Sequence, residues 1–229
     1  MDSSILAEAI AANLSEEKNN VPLVYGLGIM DSAHPIKVNK KHIRTYQTWR
    51  DMLKRCGSAH YLIDNPTYVG CTVDACWLHF SEFERWMLSQ DYAGKSLDKD
   101  LLYPGNKLYS PTTCVFIPQE LNSLLNSMQN RRGTYPLGVC YVAGRKSPYK
   151  SLVSKEGKPV CLGYFSTAAQ AHKAWQLAKA ELIASVSTGD SRIRVALDRR
   201  AAKLKEDAAN DRITESLNEG CGLLQVTPT

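Results

Sequence analysis

Residues 137–175 read LGVCYVAGRKSPYKSLVSKEGKPVCLGYFSTAAQAHKAW. Three short apolar runs are separated here by two glycine-containing turns, and the runs cover residues 138–142, 149–153 and 160–165. Runs of this kind predict antiparallel hairpins. A helical pattern begins at Ser166 or Thr167 and continues to about Ser185, with alanines that permit close packing on a sheet. We therefore predict a three-stranded antiparallel sheet packed on one helix.

Positive charge is concentrated in the same part of the chain. The 229 residues carry a net charge of +5, whereas residues 131–185 contain 9 basic and 2 acidic residues, a net charge of +7. The segments 1–42, 43–130 and 186–229 have net charges of −1, −1 and 0. A compact basic domain on an otherwise neutral chain indicates a polyanionic partner, most simply nucleic acid. The alternative is a solvated lysine surface.

A sheet that is covered on one face has a second face that can enter the major groove of duplex DNA. We expect DNA contacts from the basic and aromatic residues of the predicted strands and turns, and from two arginines before them: Arg131, Arg132, Arg145, Lys146, Tyr149, Lys150, Lys155 and Lys158. The lysines would contact phosphates, and Arg145 is best placed to bind a guanine edge.

This segment resembles the Apetala/ethylene-response-factor type of DNA-binding domain. The resemblance covers about 50 residues and rests on Gly138-Val139, Tyr149-Lys150-Ser151, Gly157-Lys158, Leu162-Gly163-Tyr164-Phe165-Ser166-Thr167 and Ala174-Trp175. Ser151 stands where that family usually has alanine, and Gln170 stands where it usually has an acid. The resemblance implies the sheet-and-helix fold and binding to double-stranded DNA, without a base specificity.

The central region has a different pattern. Helical periodicity over residues 43–56 and 77–90 places tryptophan and phenylalanine on one face, and we interpret this aromatic stripe as core. A strand is predicted for residues 96–102, followed by a turn at 104–107. A resumed strand at Leu108-Tyr109, an apolar run at 114–117 and a helix over 119–129 complete the region.

Motifs in this region resemble phage-encoded HNH-type homing endonucleases, which often carry an Apetala-type domain after the nuclease part. The motifs are Tyr46-x-x-Trp49-x-x-Met52-Leu53-x-Arg55-Cys56, Pro66-Thr67-Tyr68, Trp77-x-x-Phe80-x-x-Phe83-x-x-Trp86, Leu97-Asp98-Lys99-Asp100, Gly105-Asn106-Lys107-x-Tyr109-Ser110-Pro111-x-Thr113-Cys114-x-Phe116-x-Pro118 and Asn122. The resemblance implies a small ββα-metal-like nuclease scaffold and metal-dependent phosphodiester hydrolysis.

Two aspartates are the candidate catalytic and metal-binding residues. Residues two apart on a strand share a face, so Asp98 and Asp100 would hold Mg²⁺ (or Mn²⁺ as a substitute), with Lys99 pointing away. Asn106 and Asn122 would be polar residues of the same catalytic site.

The alternative interpretation is structural. Asp98 and Asp100 would then cap turns or pair with Lys99 and Lys107, and the nuclease would be degenerate. The expected histidine is missing after Asp98, and no histidine occurs between residues 80 and 171. His79 lies upstream on the aromatic helix, where we interpret it as structural.

Both ends of the chain are predicted to be helical. Residues 4–18 form a helix, and residues 19–42 form an irregular arm in which Lys37, Lys40 and Lys41 either contact phosphate or form a solvated surface. A last helix over residues 190–217 has a thin apolar seam of Ile193, Leu197, Ala201, Leu204 and Ala208. This seam would dock on the body or pair with a second chain.

The predicted fold class is therefore α+β, in four segments. These are the N-terminal helix and arm (1–42), an HNH-like nuclease domain (43–130), an Apetala-type DNA-binding domain (131–185), and a C-terminal helix and tail (186–229). With 44% hydrophobic and 22% charged residues, the chain is neither disordered nor collagen-like.

Other features bear on location and redox state. The longest apolar stretches fall well short of ~20 residues, so no membrane partner is expected. The acidic N-terminus lacks a signal-peptide pattern, so we expect a cytoplasmic protein, in the host cytoplasm if the gene is carried by a phage. The seven cysteines contain no C-x-x-C pair and are interpreted as buried thiols. A zinc site from Cys56, Cys71 or Cys76, and Cys114 is the alternative.

Three hypotheses for function follow. The first is a DNA-binding phage protein that cleaves or nicks duplex DNA as a metal-dependent endonuclease. The second is a catalytically degenerate protein that uses the same scaffold to bind DNA or a host factor. The third is a structural adaptor that assembles through its last helix. The expected partners are double-stranded DNA, a second copy of the chain through that helix, and a host protein.

Overall fold

The computed structural model describes residues 22–126 and 134–217. Helices and strands are mixed in this part of the chain, which confirms the α+β class. The chain divides into two compact units. The first contains residues up to Gln90 together with Leu108–Ser110, and the second contains Asp91–Lys107 and the residues from Pro111 onward. The predicted helix over residues 4–18, and Arg131 and Arg132, lie outside the described residues.

The elements of the two units are given in chain order. They are β1 (Lys37–Val38), β2 (Lys41–His42), α1 (Arg44–Gly57), α2 (Ala59–Asp64), β3 (Thr72–Val73), α3 (Phe80–Leu88), β4 (Lys95–Asp98), β5 (Leu108–Tyr109), β6 (Val115–Pro118), α4 (Gln119–Leu125), β7 (Val139–Tyr141), β8 (Tyr149–Lys155), β9 (Lys158–Phe165), α5 (Ala168–Ala184) and α6 (Ser191–Ala209). Short 3₁₀ turns occupy Pro66–Tyr68 and Ala75–Leu78.

The first unit is built around aromatic side chains from α1 and α3. Trp49 is fully buried and packs against Phe80 with ring centroids 5.4 Å apart, and its indole N–H donates to the Trp77 carbonyl at 2.7 Å. Trp77 in turn packs edge-to-face on Phe83. These contacts confirm that the aromatic stripe is core. The predicted helix over 77–90 is shorter, because a 3₁₀ turn precedes α3.

The central region differs from the prediction of a strand over residues 96–102 that resumes at Leu108-Tyr109. β4 and β6 are antiparallel, with Asp98 opposite Val115, and α4 follows β6 directly. The strand predicted over 96–102 ends at Asp98, because the Asp98 side chain caps a turn there. β5 does not continue this strand. It pairs in parallel with β3 of the first unit.

The second unit contains the predicted three-stranded sheet, with β8 in the centre between β7 and β9. Both pairings are antiparallel. The sheet, α5, α6 and the β4–β6 region share one hydrophobic core, which includes Val115, Ile117, Val153, Trp175 and Leu197. This core therefore contains residues from both sides of the predicted boundary at residue 130.

The last helix ends earlier than predicted. α6 stops at Ala209, and Asp211 takes a left-handed backbone conformation with φ +52°. The predicted apolar seam is buried against the body of its own unit, since Ile193, Leu197, Ala201, Leu204 and Ala208 are all buried. The docking interpretation of the seam is confirmed. A homodimer through α6 stays a prediction and would have to use another face of the helix.

Within the described residues, no helix combines the length and apolar character that a membrane crossing requires.

Candidate nucleic-acid interface

α5 covers one face of the β7–β9 sheet. Ser151 and Val153 of β8 are buried on this side, and Trp175 of α5 is 5% exposed. Gly138, just before β7, has φ +75°, and a Cβ added there would lie 2.0 Å from Trp175 Cδ1. Successive residues of a strand point to opposite faces, so Lys150, next to the buried Ser151, lies on the other face.

None of the described elements covers this other face of the sheet, which we call the uncovered face. On it, an arginine is stacked on a tyrosine beside a lysine. The guanidinium carbon of Arg145 lies 3.9 Å from the centroid of the Tyr164 ring. Lys150 Nζ lies 5.8 Å from the same centroid, and Lys150 pairs across the sheet with Tyr164. A cation over an aromatic face is attracted by the ring quadrupole. The ring therefore orients the guanidinium while leaving its edge N–H groups available to an acceptor.

Tyr164 is the residue of this cluster that the sequence did not predict. The two-residue turn at Glu156-Gly157 sets Lys155 opposite Lys158, and an unbroken ladder from that turn would place Gly163 opposite Lys150. A β-bulge at Ser151/Leu152 shifts the register by one residue and brings Tyr164 opposite Lys150 instead. A one-residue shift exchanges the faces of a strand. The resemblance motif contains Tyr164 but gives no sign of the bulge.

The remaining predicted lysines of the sheet are exposed. Lys146 lies beside Arg145 in the β7–β8 turn, and Lys155 and Lys158 flank the β8–β9 turn. Across residues 22–126 and 134–217, the ion pairs do not include Arg145 or any of the predicted lysines. Their charges are thus available to an external anion.

Tyr149 belongs to a different cluster from Lys150. Its ring packs edge-to-face on Tyr135 and Tyr141, with centroids 5.5 and 5.6 Å away. Tyr149 pairs with Tyr141 and Phe165, at the alternate position to Lys150. The structure therefore does not bring Tyr149 together with Arg145 and Lys150.

Asp98 caps the turn that follows β4. Its Oδ1 accepts hydrogen bonds from the backbone N–H groups of Asp100 at 2.8 Å and Leu101 at 2.6 Å. Burial raises the pKa of the Asp98 carboxyl above its ordinary value. Asp100 lies beyond the end of β4, so the expected alternation that would place both carboxylates on one strand face does not apply.

The expected orientation of Lys99 is wrong. Its buried ammonium donates to Asp100 Oδ1 at 2.5 Å and to the Asn106 carbonyl at 2.9 Å. The Asn106 side chain donates back to the Lys99 carbonyl at 2.9 Å. Arg200 of α6 donates to the carbonyls of Asp100 and Leu101 at 2.8 and 2.5 Å. Lys99 therefore lies within the turn and pairs with Asp100, as the structural interpretation predicts.

Three of the four predicted catalytic residues, Asp98, Asp100 and Asn106, are joined by hydrogen bonds of the turn after β4, in part through Lys99. Asn122 lies on α4, where its Oδ1 accepts from the side chain of Asn126 at 2.7 Å. Among the residues that the structure describes, no group of three or more His, Cys, Asp or Glu side chains is arranged to hold a metal. The carboxylate contacts described here are made with donors of the turn itself. The magnesium site stays a prediction, and so does the zinc alternative.

Comparison with protein-family models, with curated proteins and with solved structures finds no match to this chain.

Proposed function

We propose that the protein binds double-stranded DNA through the uncovered face of the β7–β9 sheet. The observation that carries the proposal is the cluster of Arg145, Tyr164 and Lys150, in which an oriented guanidinium and an ammonium share one face of a sheet covered by α5 on the other side. Arginine with a fixed orientation is suited to bidentate contacts with a guanine edge or a phosphate.

The charge and shape of this surface agree with a duplex as ligand. A narrow antiparallel ribbon fits the B-DNA major groove. Lys146 sits in the β7–β8 turn, and Lys155 and Lys158 flank the β8–β9 turn, so these lysines would meet backbone phosphates on either side of the groove. Phosphate contacts by lysine position a protein without reading sequence, so discrimination between bases would depend on Arg145.

The test compares variants of the full chain by fluorescence anisotropy with a labelled duplex. Arg145→Gln/Lys150→Gln/Lys158→Gln removes three cations of the sheet and its turns: one in the β7–β8 turn, one on the uncovered face and one beside the β8–β9 turn. The control, Arg85→Gln/Lys173→Gln/Arg192→Gln, also removes three cations, but each of these is ion-paired with a carboxylate. The plot of log affinity against log salt concentration should lose about 2–3 units of slope in the first variant, because each phosphate contact contributes roughly 0.9. The control should retain its slope. Equal slopes in all three proteins would contradict the proposal.

A second candidate function is metal-dependent cleavage of the bound duplex. The observation that favours it is the antiparallel pair of β4 and β6, which leads directly into α4 and has Asp98 at the end of β4. This order is the one that the resemblance to HNH-type enzymes implies.

Plasmid nicking in Mg²⁺ or Mn²⁺ tests the second candidate. Asp98→Asn keeps an oxygen that can accept the two backbone hydrogen bonds but removes the charge, so it separates a catalytic role from a capping role. Nicking that is lost in Asp98→Asn and in Asp98→Ala/Asp100→Ala would support an enzyme. Unchanged background nicking with retained DNA binding would support the catalytically degenerate binding protein.

A further inference from the structure

The β1–β2 hairpin of the first unit is a second basic surface. Residues 37–44 read KVNKKHIR and contain four lysine or arginine residues, one histidine and no acid. Lys37, Lys40 and Lys41 are exposed. The ion pairs of the described part of the chain do not involve any of these three lysines.

Two carboxylates adjoin the segment around the hairpin, and both bind other partners. Asp31 accepts from the backbone N–H and the hydroxyl of Ser81 at 2.8 and 2.7 Å. Glu84 accepts from the Thr45 hydroxyl at 2.6 Å and contacts the His34 ring at 2.7 Å. These contacts of the two acids do not involve the hairpin lysines, and the lysine charges face solvent.

The tip of the hairpin holds a lysine in a conformation that lysine seldom adopts. Asn39 and Lys40 have φ values of +50° and +64° between strands that pair Val38 with Lys41. Two-residue hairpin turns with positive φ at both positions favour Asn-Gly, so a lysine at the second position is strained. Strained residues on a firmly held segment are common at functional sites.

The base of the hairpin is anchored, so the tip is presented on a defined support. The Ile43 N–H donates to the Ile36 carbonyl at 2.9 Å. The His42 ring packs edge-on against Tyr46, which belongs to the aromatic core, with centroids 4.8 Å apart.

We propose that this hairpin is a second DNA-binding element, in which Lys37, Lys40 and Lys41 contact backbone phosphates of a duplex. The proposal rests on the proposed function, because it assigns a further part of the chain to the same ligand. A two-stranded ribbon is narrow enough for the major groove, and its lysines would add affinity without sequence preference.

The experiment measures duplex affinity of the full chain as a function of salt. Lys37→Gln/Lys40→Gln/Lys41→Gln should lower the magnitude of the log–log slope by about 2–3, since three phosphate contacts contribute roughly 0.9 each. The loss should be the same for duplexes of unrelated sequence. The control with three ion-paired cations removed, Arg85→Gln/Lys173→Gln/Arg192→Gln, should keep the wild-type slope.

Lys40→Gly separates a binding role from a folding role. Glycine adopts positive φ without strain, so this variant should melt at the same or a higher temperature than the wild type while binding the duplex more weakly. A variant that binds as tightly as the wild type would overturn the proposal, and so would a loss of affinity that accompanies a lower melting temperature.

The outcomes distinguish this proposal from the proposed function. If the hairpin variant keeps its slope while the sheet variant Arg145→Gln/Lys150→Gln/Lys158→Gln loses slope, the hairpin is not a DNA contact and the sheet proposal stands. If the wild-type chain fails to bind a duplex even at low salt, both proposals fail.

Discussion

Replacing Gly138 by alanine should destabilise the second unit far more than the same change at Gly144. Both glycines have left-handed backbones, with φ values of +75° and +77°. A Cβ at Gly144 would have no heavy atom within 4 Å, whereas a Cβ at Gly138 would lie 2.0 and 2.2 Å from Cδ1 and Cγ of Trp175. The pair therefore separates backbone strain from steric overlap.

The magnitude follows from two contributions. An L-residue in the left-handed region costs about 1–2 kcal/mol, and this cost applies at both positions. Overlap with a packed core side chain adds about 1–3 kcal/mol, because the ring or the backbone has to shift. Trp175 has little freedom to move, since it is buried and stacked on His172 with an interplanar angle of 16°. We expect a loss of about 2–5 kcal/mol for Gly138→Ala and about 1–2 kcal/mol for Gly144→Ala.

Native-state hydrogen exchange, read by mass spectrometry on peptides from β8 and α5, measures the free energy of opening of this unit separately from the first one. The two alanine variants should differ by about 1–3 kcal/mol in these peptides. Equal losses in the two variants, or an unchanged opening free energy in Gly138→Ala, would refute the close approach of the Gly138 backbone to Trp175.

Three further predictions concern buried or half-buried polar groups of the second unit. The Ser151 hydroxyl is buried and has no hydrogen-bond partner among the described residues, so Ser151→Ala should raise the unfolding free energy by about 1 kcal/mol in urea titrations. The His172 ring contacts the Leu137 carbonyl through Nδ1 and accepts the Thr214 N–H at Nε2, and burial lowers the pKa of this histidine. The native state therefore binds fewer protons than the unfolded state. The unfolding free energy should fall as the pH drops below about 6.5, by at most ~1.4 kcal/mol per pH unit. Asp98→Ala should lower the unfolding free energy by about 1–2 kcal/mol, and Asp98→Asn by less, because asparagine keeps the capping oxygen.

Each of these has a contradicting result. A destabilised Ser151→Ala protein would mean that the hydroxyl has a partner. A His172→Gln variant with the same pH dependence of stability as the wild type would show that another group titrates. Equal losses for the alanine and asparagine variants at Asp98 would show that its oxygen does not cap the turn.

Local patterns were sufficient to predict most of the helices and hairpins. The helix of residues 44–57 and that of residues 168–184 lie where apolar periodicity predicts them, and the hairpin turns of the basic sheet follow from their glycines. These elements are specified by residues close together in sequence, so propensity and periodicity carry the information.

Other features depend on contacts between distant residues. The parallel pairing of β3 with β5 joins Thr72 to Leu108, and strands of two residues have no alternation that a sequence could show. Asp98 and Asp100 look like neighbours on one strand face, but side-chain capping ends the strand between them. The face on which Tyr164 lies depends on a bulge, and a single inserted residue leaves no pattern in the sequence.

Lysine footprinting of the full chain, with and without a duplex, tests DNA binding by the basic sheet most directly. Acetylation of each lysine is read by mass spectrometry, and Lys203 and Lys205 of α6 serve as internal references. We predict that saturating duplex protects Lys150 and Lys158 while both references react as before. Unchanged reactivity of Lys150 and Lys158 in the bound protein would contradict DNA binding through the sheet.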